Sequence, residues 1–244
     1  AGQKETLRVI FAYPGSGLVR HAIRRLLERV EEERGASAAL ELVASLATSL
    51  AGTEAEEAVV FEHAGALSRA GRAEESSQMY LALARKNPYP KGSLTDDSFF
   101  RASLDLEALG RVDEAIAVLE EMIAPQEAAY AGASYERPRF PEGGFRIAVL
   151  YRDRKQDKQR AATEFARVVE RHPESRYVDD ALWERAKLLR ELGQTDESCE
   201  ALERLRELRP DSRYVRCAPL LCQAMTAPPG RPCSNYLVES LAGK

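Results

Sequence analysis

Four cysteines, Cys199, Cys217, Cys222 and Cys233, are the side chains of this sequence most suited to chemistry, and all lie in its last fifth. Their spacing, C-x17-C-x4-C-x10-C, holds no paired CxxC knuckle, and no histidine stands nearby to complete a zinc set. An even number of cysteines beside a proline-rich tail suits disulfides in an oxidising compartment. Four buried thiols in a cytosolic protein are the alternative, because cysteine is also a common core residue. His21, His63 and His172 are scattered and lack a metal spacing such as HxxxH. The doublets Asp96-Asp97 and Asp179-Asp180 each precede an apolar helical stretch, where aspartate caps the helix and meets the positive end of its dipole. "PGSG" at 14–17 has no Walker lysine and no preceding strand, so it reads as a turn. The serines of "GASYE" and "PCSNY" have no histidine partner that the sequence can identify. No catalytic set, metal site or cofactor is expected, and the chain reads as non-enzymatic.

The elements that would position these residues are helical. Of the 244 residues, 44% are apolar and 30% charged, which suits an amphipathic helical protein. Net charge is only -4 and the two signs are interleaved, so no broad positive face offers itself to nucleic acid or anionic lipid. The most apolar stretch, 37–52, is short and contains Glu41, Thr48 and Ser49, so no membrane span is expected. The opening "AGQKETLR" lacks a methionine, which leaves open an upstream signal or lipidation segment.

Three helix–turn–helix stretches superimpose on a turn glycine: "ALSRAGRAEESSQMYLALARKNP", "LDLEALGRVDEAIAVLEEMIAP" and "AKLLRELGQTDESCEALERLRELRP". Gly71, Gly110 and Gly193 suit the left-handed conformation that ends a first helix. Pro88 and Pro210, each seventeen residues beyond their glycine, stop a second helix. Seven before the glycine stand Ala64, Ser103 and Ala186; five after it stand Ser76, Ala115 and Ser198; four later come Tyr80, Leu119 and Leu202. A degenerate copy, "FRIAVLYRDRKQDKQRAATEFARVVERHP", matches through Ala148, Tyr151, Ala161, Phe165 and Pro173, with Lys155 for glycine and a turn one residue longer.

This pattern resembles the tetratricopeptide repeat, a unit of about 34 residues whose helix pairs stack into a solenoid. The resemblance implies an all-α, right-handed superhelical solenoid with terminal caps. It places an N-terminal segment and capping helix pair at 1–53, four repeats within 54–210 (54–88, 93–125, 141–173 and 177–210), and a cysteine-bearing cap at 211–244. An insertion at 126–140 is long for a helix–helix connection, and Tyr130, Tyr135 and Phe140 give it apolar weight. It reads equally as a groove cover or as a surface insertion without function.

The resemblance also implies which positions face a bound peptide. Ten before the turn residue stand Phe61, Phe100, Phe145 and Trp183, an aromatic stripe that fits either groove anchors or filler between helices. Arg152, Lys187 and Arg190 gather basic charge on the inner face of the last two repeats, suited to an acidic segment or a C-terminal carboxylate. The lysine of the family's carboxylate clamp is replaced by Phe or Trp, which puts that particular binding mode in doubt.

The function implied is a non-enzymatic scaffold that holds a protein or peptide partner in its groove, its oligomeric state open. The cysteines favour a periplasmic or other bacterial envelope location, with a cytoplasmic one as the alternative. In general look the chain is similar to envelope scaffolds of outer-membrane assembly, cell-wall or motility complexes. The accessory solenoid of a longer envelope enzyme and a cytosolic adaptor are the alternatives. Four cysteines allow three pairings. The pairing Cys199–Cys217 with Cys222–Cys233 is the expectation, the first pinning the cap and the second closing the proline-rich loop.

Overall fold

A computed structural model of the chain describes residues 2–124, 139–230 and 232–242. The described residues are helical or irregular, with no strand among them, and they fall into two compact units. Tyr130, Tyr135 and the rest of 126–138 lie outside the described residues. Phe140 does not belong to the insertion: it is buried in the first turn of a helix that begins at Arg139.

The first unit, Ala1–Met122, carries seven helices. They are α1 (Gln3–Ala12), α2 (Val19–Arg34), α3 (Ala36–Ser49), α4 (Glu56–Arg69), α5 (Ala73–Lys86), α6 (Thr95–Ala108) and α7 (Val112–Ile123). Leu26, Leu27 and Val30 of α2 recur at helical spacing and meet Val43 and Leu46 of α3, Val59 of α4 and Ile10 of α1 in one apolar cluster. Helix α1 was not foreseen: only Ile10 of it is fully buried.

The second unit, Ile123–Lys244, carries α8 (Arg139–Asp153), α9 (Lys158–Arg171), α10 (Val178–Glu191), α11 (Thr195–Leu208), a 3-10 helix (Val215–Leu220) and α12 (Asn235–Ala242). Successive helices pack on one another around Phe165, Leu182, Trp183 and Leu202. Pro219 removes a backbone donor where the 3-10 helix would otherwise lengthen.

The turns behave as their residues dictate. Gly71, Gly110 and Gly193 have φ of 77°, 76° and 77°, and the next residue donates back to Leu67, Leu106 or Leu189. In the degenerate copy the left-handed place is taken by Gln156, at φ 55°, and not by Lys155. The longer turn is closed by Asp157, whose side chain accepts from the Arg160 amide at 2.8 Å and so caps α9.

The small-residue places have a physical reason beyond close approach. The Ser76 hydroxyl donates to the Ala64 carbonyl, and that of Ser198 to the Ala186 carbonyl, each at 2.8 Å. Both serines and both alanines are fully buried, so one hydrogen bond ties each second helix to its first where they cross.

Candidate functional site

The aromatic stripe is largely inter-helix core. Trp183 is 1% exposed, and its indole stacks on Tyr214 with ring centroids 5.0 Å apart and planes 14° from parallel. Phe61 is buried edge-on against Tyr80 of its own helix pair, with the Arg20 guanidinium 4.9 Å over its ring. Phe145 is half-buried between Phe165 and Tyr177, at 5.1 and 5.3 Å. Phe100 is half-buried on α6. The expectation that Phe61 and Trp183 are offered to a partner is therefore corrected. Each ring is needed by the neighbouring element, which has its own aromatic at the contact.

The basic residues do come together. Arg152, Lys187 and Arg190 line one open groove of the second unit, of about 1080 Å³. Most of their charge is already matched. Arg152 pairs with Asp153 and with Glu184, each at 2.6 Å; Lys187 pairs with Glu184 at 2.9 Å, and Lys158 with Glu191 at 3.0 Å. The hydrogen bond that Arg152 donates to Asp153, with Glu184 nearby, holds its guanidinium above its ordinary basicity. Arg190 is exposed in the last turn of α10 and has no ion pair among the described residues.

The opposite wall of the groove is the C-terminal cap: Leu220 and Leu221 from the 3-10 helix, with Val238 and Leu241 from α12. Two disulfides fasten that cap. Cys199 of α11 is bonded to Cys222, with an S–S distance of 1.99 Å, and Cys217 to Cys233, at 2.07 Å. This pairing differs from the expected Cys199–Cys217 with Cys222–Cys233, which is corrected. Cys217 lies within the 3-10 helix and Cys222 just after it; Cys222 reaches back to α11 while Cys217 meets Cys233. The two closed loops therefore interleave.

The cap also repeats a junction that sequence reading overlooked. "SRYV" occurs at 175–178, before α10, and again at 212–215, before the 3-10 helix. In both copies the serine hydroxyl accepts from the tyrosine amide, at 3.1 and 3.4 Å, and the arginine lies over the tyrosine ring, at 5.0 and 4.7 Å. Tyr177 packs on Phe145 as Tyr214 does on Trp183. The cap thus starts as a further repeat would, and the identical tetrapeptides were the available signal.

The aspartate doublets do other work than capping. They sit in the first turns of α6 and α10, but the residues that precede these helices make no side-chain cap hydrogen bond. Asp179 accepts from the Ser212 hydroxyl at 2.8 Å, and Asp180 from the Tyr214 hydroxyl at 2.5 Å. Burial and the Asp180 carboxylate push the Tyr214 phenol well above its ordinary value. Asp97 faces Arg20 at 3.7 Å.

The first unit holds a second polar cluster. Glu62 is 4% exposed and faces Arg20 at 3.3 Å and Arg24 at 3.6 Å. Burial raises its carboxyl, opposed in part by Arg24 and then Arg20. Its polar groups tie α2 to α4 and bring no nucleophile to a base. His21 is exposed and far in sequence from any other histidine. Among the described residues no three His, Cys, Asp or Glu side chains are grouped so as to hold a metal ion, and no helix is long and apolar enough to cross a membrane.

Residues 142–175 and 180–212 match the sequence model of the tetratricopeptide repeat. No curated protein matches the chain by sequence. Among solved structures, the C-terminal part of a TPR repeat-containing protein from Cytophaga hutchinsonii superimposes with a TM-score of 0.57 at 14% identity, covering 88% of this chain and 76% of that one. BtubC (BKLC) from P. vanneervenii gives 0.54 at 15% identity, covering 95% and 92%. A structure of nearly identical TPR-like repeats from Podosopora anserina gives 0.53 at 21% identity, covering 78% and 94%. At these identities the likeness is one of fold.

Proposed function

We propose that this chain, a tetratricopeptide-repeat protein by its repeats and by its fold, is a non-enzymatic scaffold that holds a protein or peptide partner in the groove of its second unit. The observation that carries the reading is the exposed apolar wall of that groove. Leu220 is 48% and Val238 41% exposed on a cap that two disulfides fasten, opposite a charged wall on α10. Apolar side chains held open to water beside a polar rim are the surface composition of an interaction site. Tetratricopeptide-repeat proteins are generally protein-interaction scaffolds, which supports the same reading.

The paired cysteines support a place outside the reducing cytoplasm, as a scaffold of a bacterial envelope assembly, cell-wall or motility complex. Two experiments in the native cell test this. A photo-cross-linking residue at position 220 or 238 is expected to yield a discrete protein adduct; no protein adduct at either position would refute the scaffold reading. Alkylation of intact cells followed by mass spectrometry is expected to find no free thiol. Four alkylated cysteines would refute the envelope location alone.

A further inference from the structure

Resting on the scaffold reading, we infer that the partner segment of this groove is an acidic amphipathic peptide, with an apolar side chain seated on the cap and a carboxylate at Arg190. The charges lining the groove decide the sign. The groove lining contains four cations, Arg152, Lys158, Lys187 and Arg190, against three acids, Asp153, Glu184 and Glu191. Each of the three acids already has a cation within 3.0 Å, and Glu184 is shared by two. The surplus positive charge is therefore that of Arg190. An incoming cation finds every groove acid taken, whereas an incoming carboxylate finds an exposed guanidinium able to receive it through two hydrogen bonds.

The apolar half of the contact follows from exposure. Leu221 is buried and supports the wall, while Leu220 and Val238 present their side chains to the groove. A volume of about 1080 Å³ lies above the range of about 300–1,000 Å³ usual for small-molecule pockets, and the groove is open to solvent. A chain segment of several residues fits that shape better than an enclosed metabolite. Burial of the apolar contacts supplies affinity, and the single charge sets which segment is chosen.

The test uses the whole oxidised chain and a displayed library of random twelve-residue peptides. Enriched peptides are expected to carry an aspartate or glutamate within one helical turn of a leucine, isoleucine or phenylalanine. For one such peptide, Arg190→Glu is expected to weaken binding about fivefold, and changing the peptide acid to lysine should restore it. Leu220→Asp together with Val238→Asp should weaken binding more than tenfold, with far-ultraviolet circular dichroism and Trp183 emission unchanged as proof of folding. Enrichment of basic or charge-neutral peptides, binding indifferent to Arg190→Glu, or no enrichment at all overturns the inference. So does a dimer in sedimentation that the Leu220→Asp, Val238→Asp variant dissociates, since the groove would then be a self-interface. None of these results touches the in-cell cross-link, on which the scaffold reading separately stands.

Discussion

The phenol ring of Tyr214 lies flat on the indole of Trp183, 5.0 Å between centroids, and its hydroxyl reaches the Asp180 carboxylate three residues earlier on the same helix. One residue of the cap therefore covers the largest buried side chain of the second unit and satisfies an acid beside it.

Trp183 is the only tryptophan of the chain, so its emission reports on the cap. Tyr214→Ala should red-shift that emission and lower stability by about 3 to 5 kcal/mol, as for other buried aromatic truncations. Tyr214→Phe keeps the stacked ring and loses the hydrogen bond donated to Asp180 and the one accepted from Arg213, the buried bond to the charged acceptor costing about 1.5 to 3 kcal/mol. Urea denaturation followed by fluorescence separates the two variants; equal losses would show that the ring stack contributes nothing.

The bridges close loops with sequence separations of 23 and 16 residues. Removing either should cost about 3 kcal/mol by loss of constraint on the unfolded chain. Reduction by a dithiol should expose 223–234 to protease and red-shift Trp183. No lysine or arginine lies between Cys217 and Cys222, so mapping the pairing needs a protease that cuts at Leu220 or Leu221. The expected fragments join Cys199 to Cys222 and Cys217 to Cys233.

Ser76→Ala and Ser198→Ala should each cost about 1 kcal/mol, the net worth of one buried hydrogen bond. Ser198→Leu should cost more, about 1 to 3 kcal/mol beyond that, because the crossing has no room for added carbons. Thermal or urea melts check both; a silent Ser198→Leu would mean the crossing is loosely packed.

Glu62 gives the first unit a pH dependence of definite sign. Its folded value is raised above 4.5, so the folded state holds the proton more tightly than the unfolded chain does. The stability from that proton is fully present below 4.5 and is lost as pH rises from 4.5 through the raised value. Glu62→Gln should flatten stability against pH over that window. Urea midpoints measured across it, with the same slope in both proteins, would contradict this.

The helix periods, the three turn glycines and the serines at the crossings were legible in the sequence because each is a local requirement. A left-handed turn favours glycine, and two helices that cross closely favour a small side chain. Even the cap announced itself in the second "SRYV". By contrast, Phe61 and Trp183 carry no local sign of whether partner or neighbour covers them. That depends on Tyr80, nineteen residues away, and Tyr214, thirty-one away, which only packing brings to the rings.

The same division holds for charge and for sulfur. The sequence by itself determined the repeat and its helix pairs, and it placed four cysteines close together at one end. Only the tertiary structure decided that Cys199 bonds Cys222, because the partner of a cysteine is set by which side of the 3-10 helix faces α11. It alone decided that Arg152 of α8 reaches Glu184 of α10, while Arg190 has no ion pair among the described residues, because a partner thirty-two residues away is brought into reach only by helix packing.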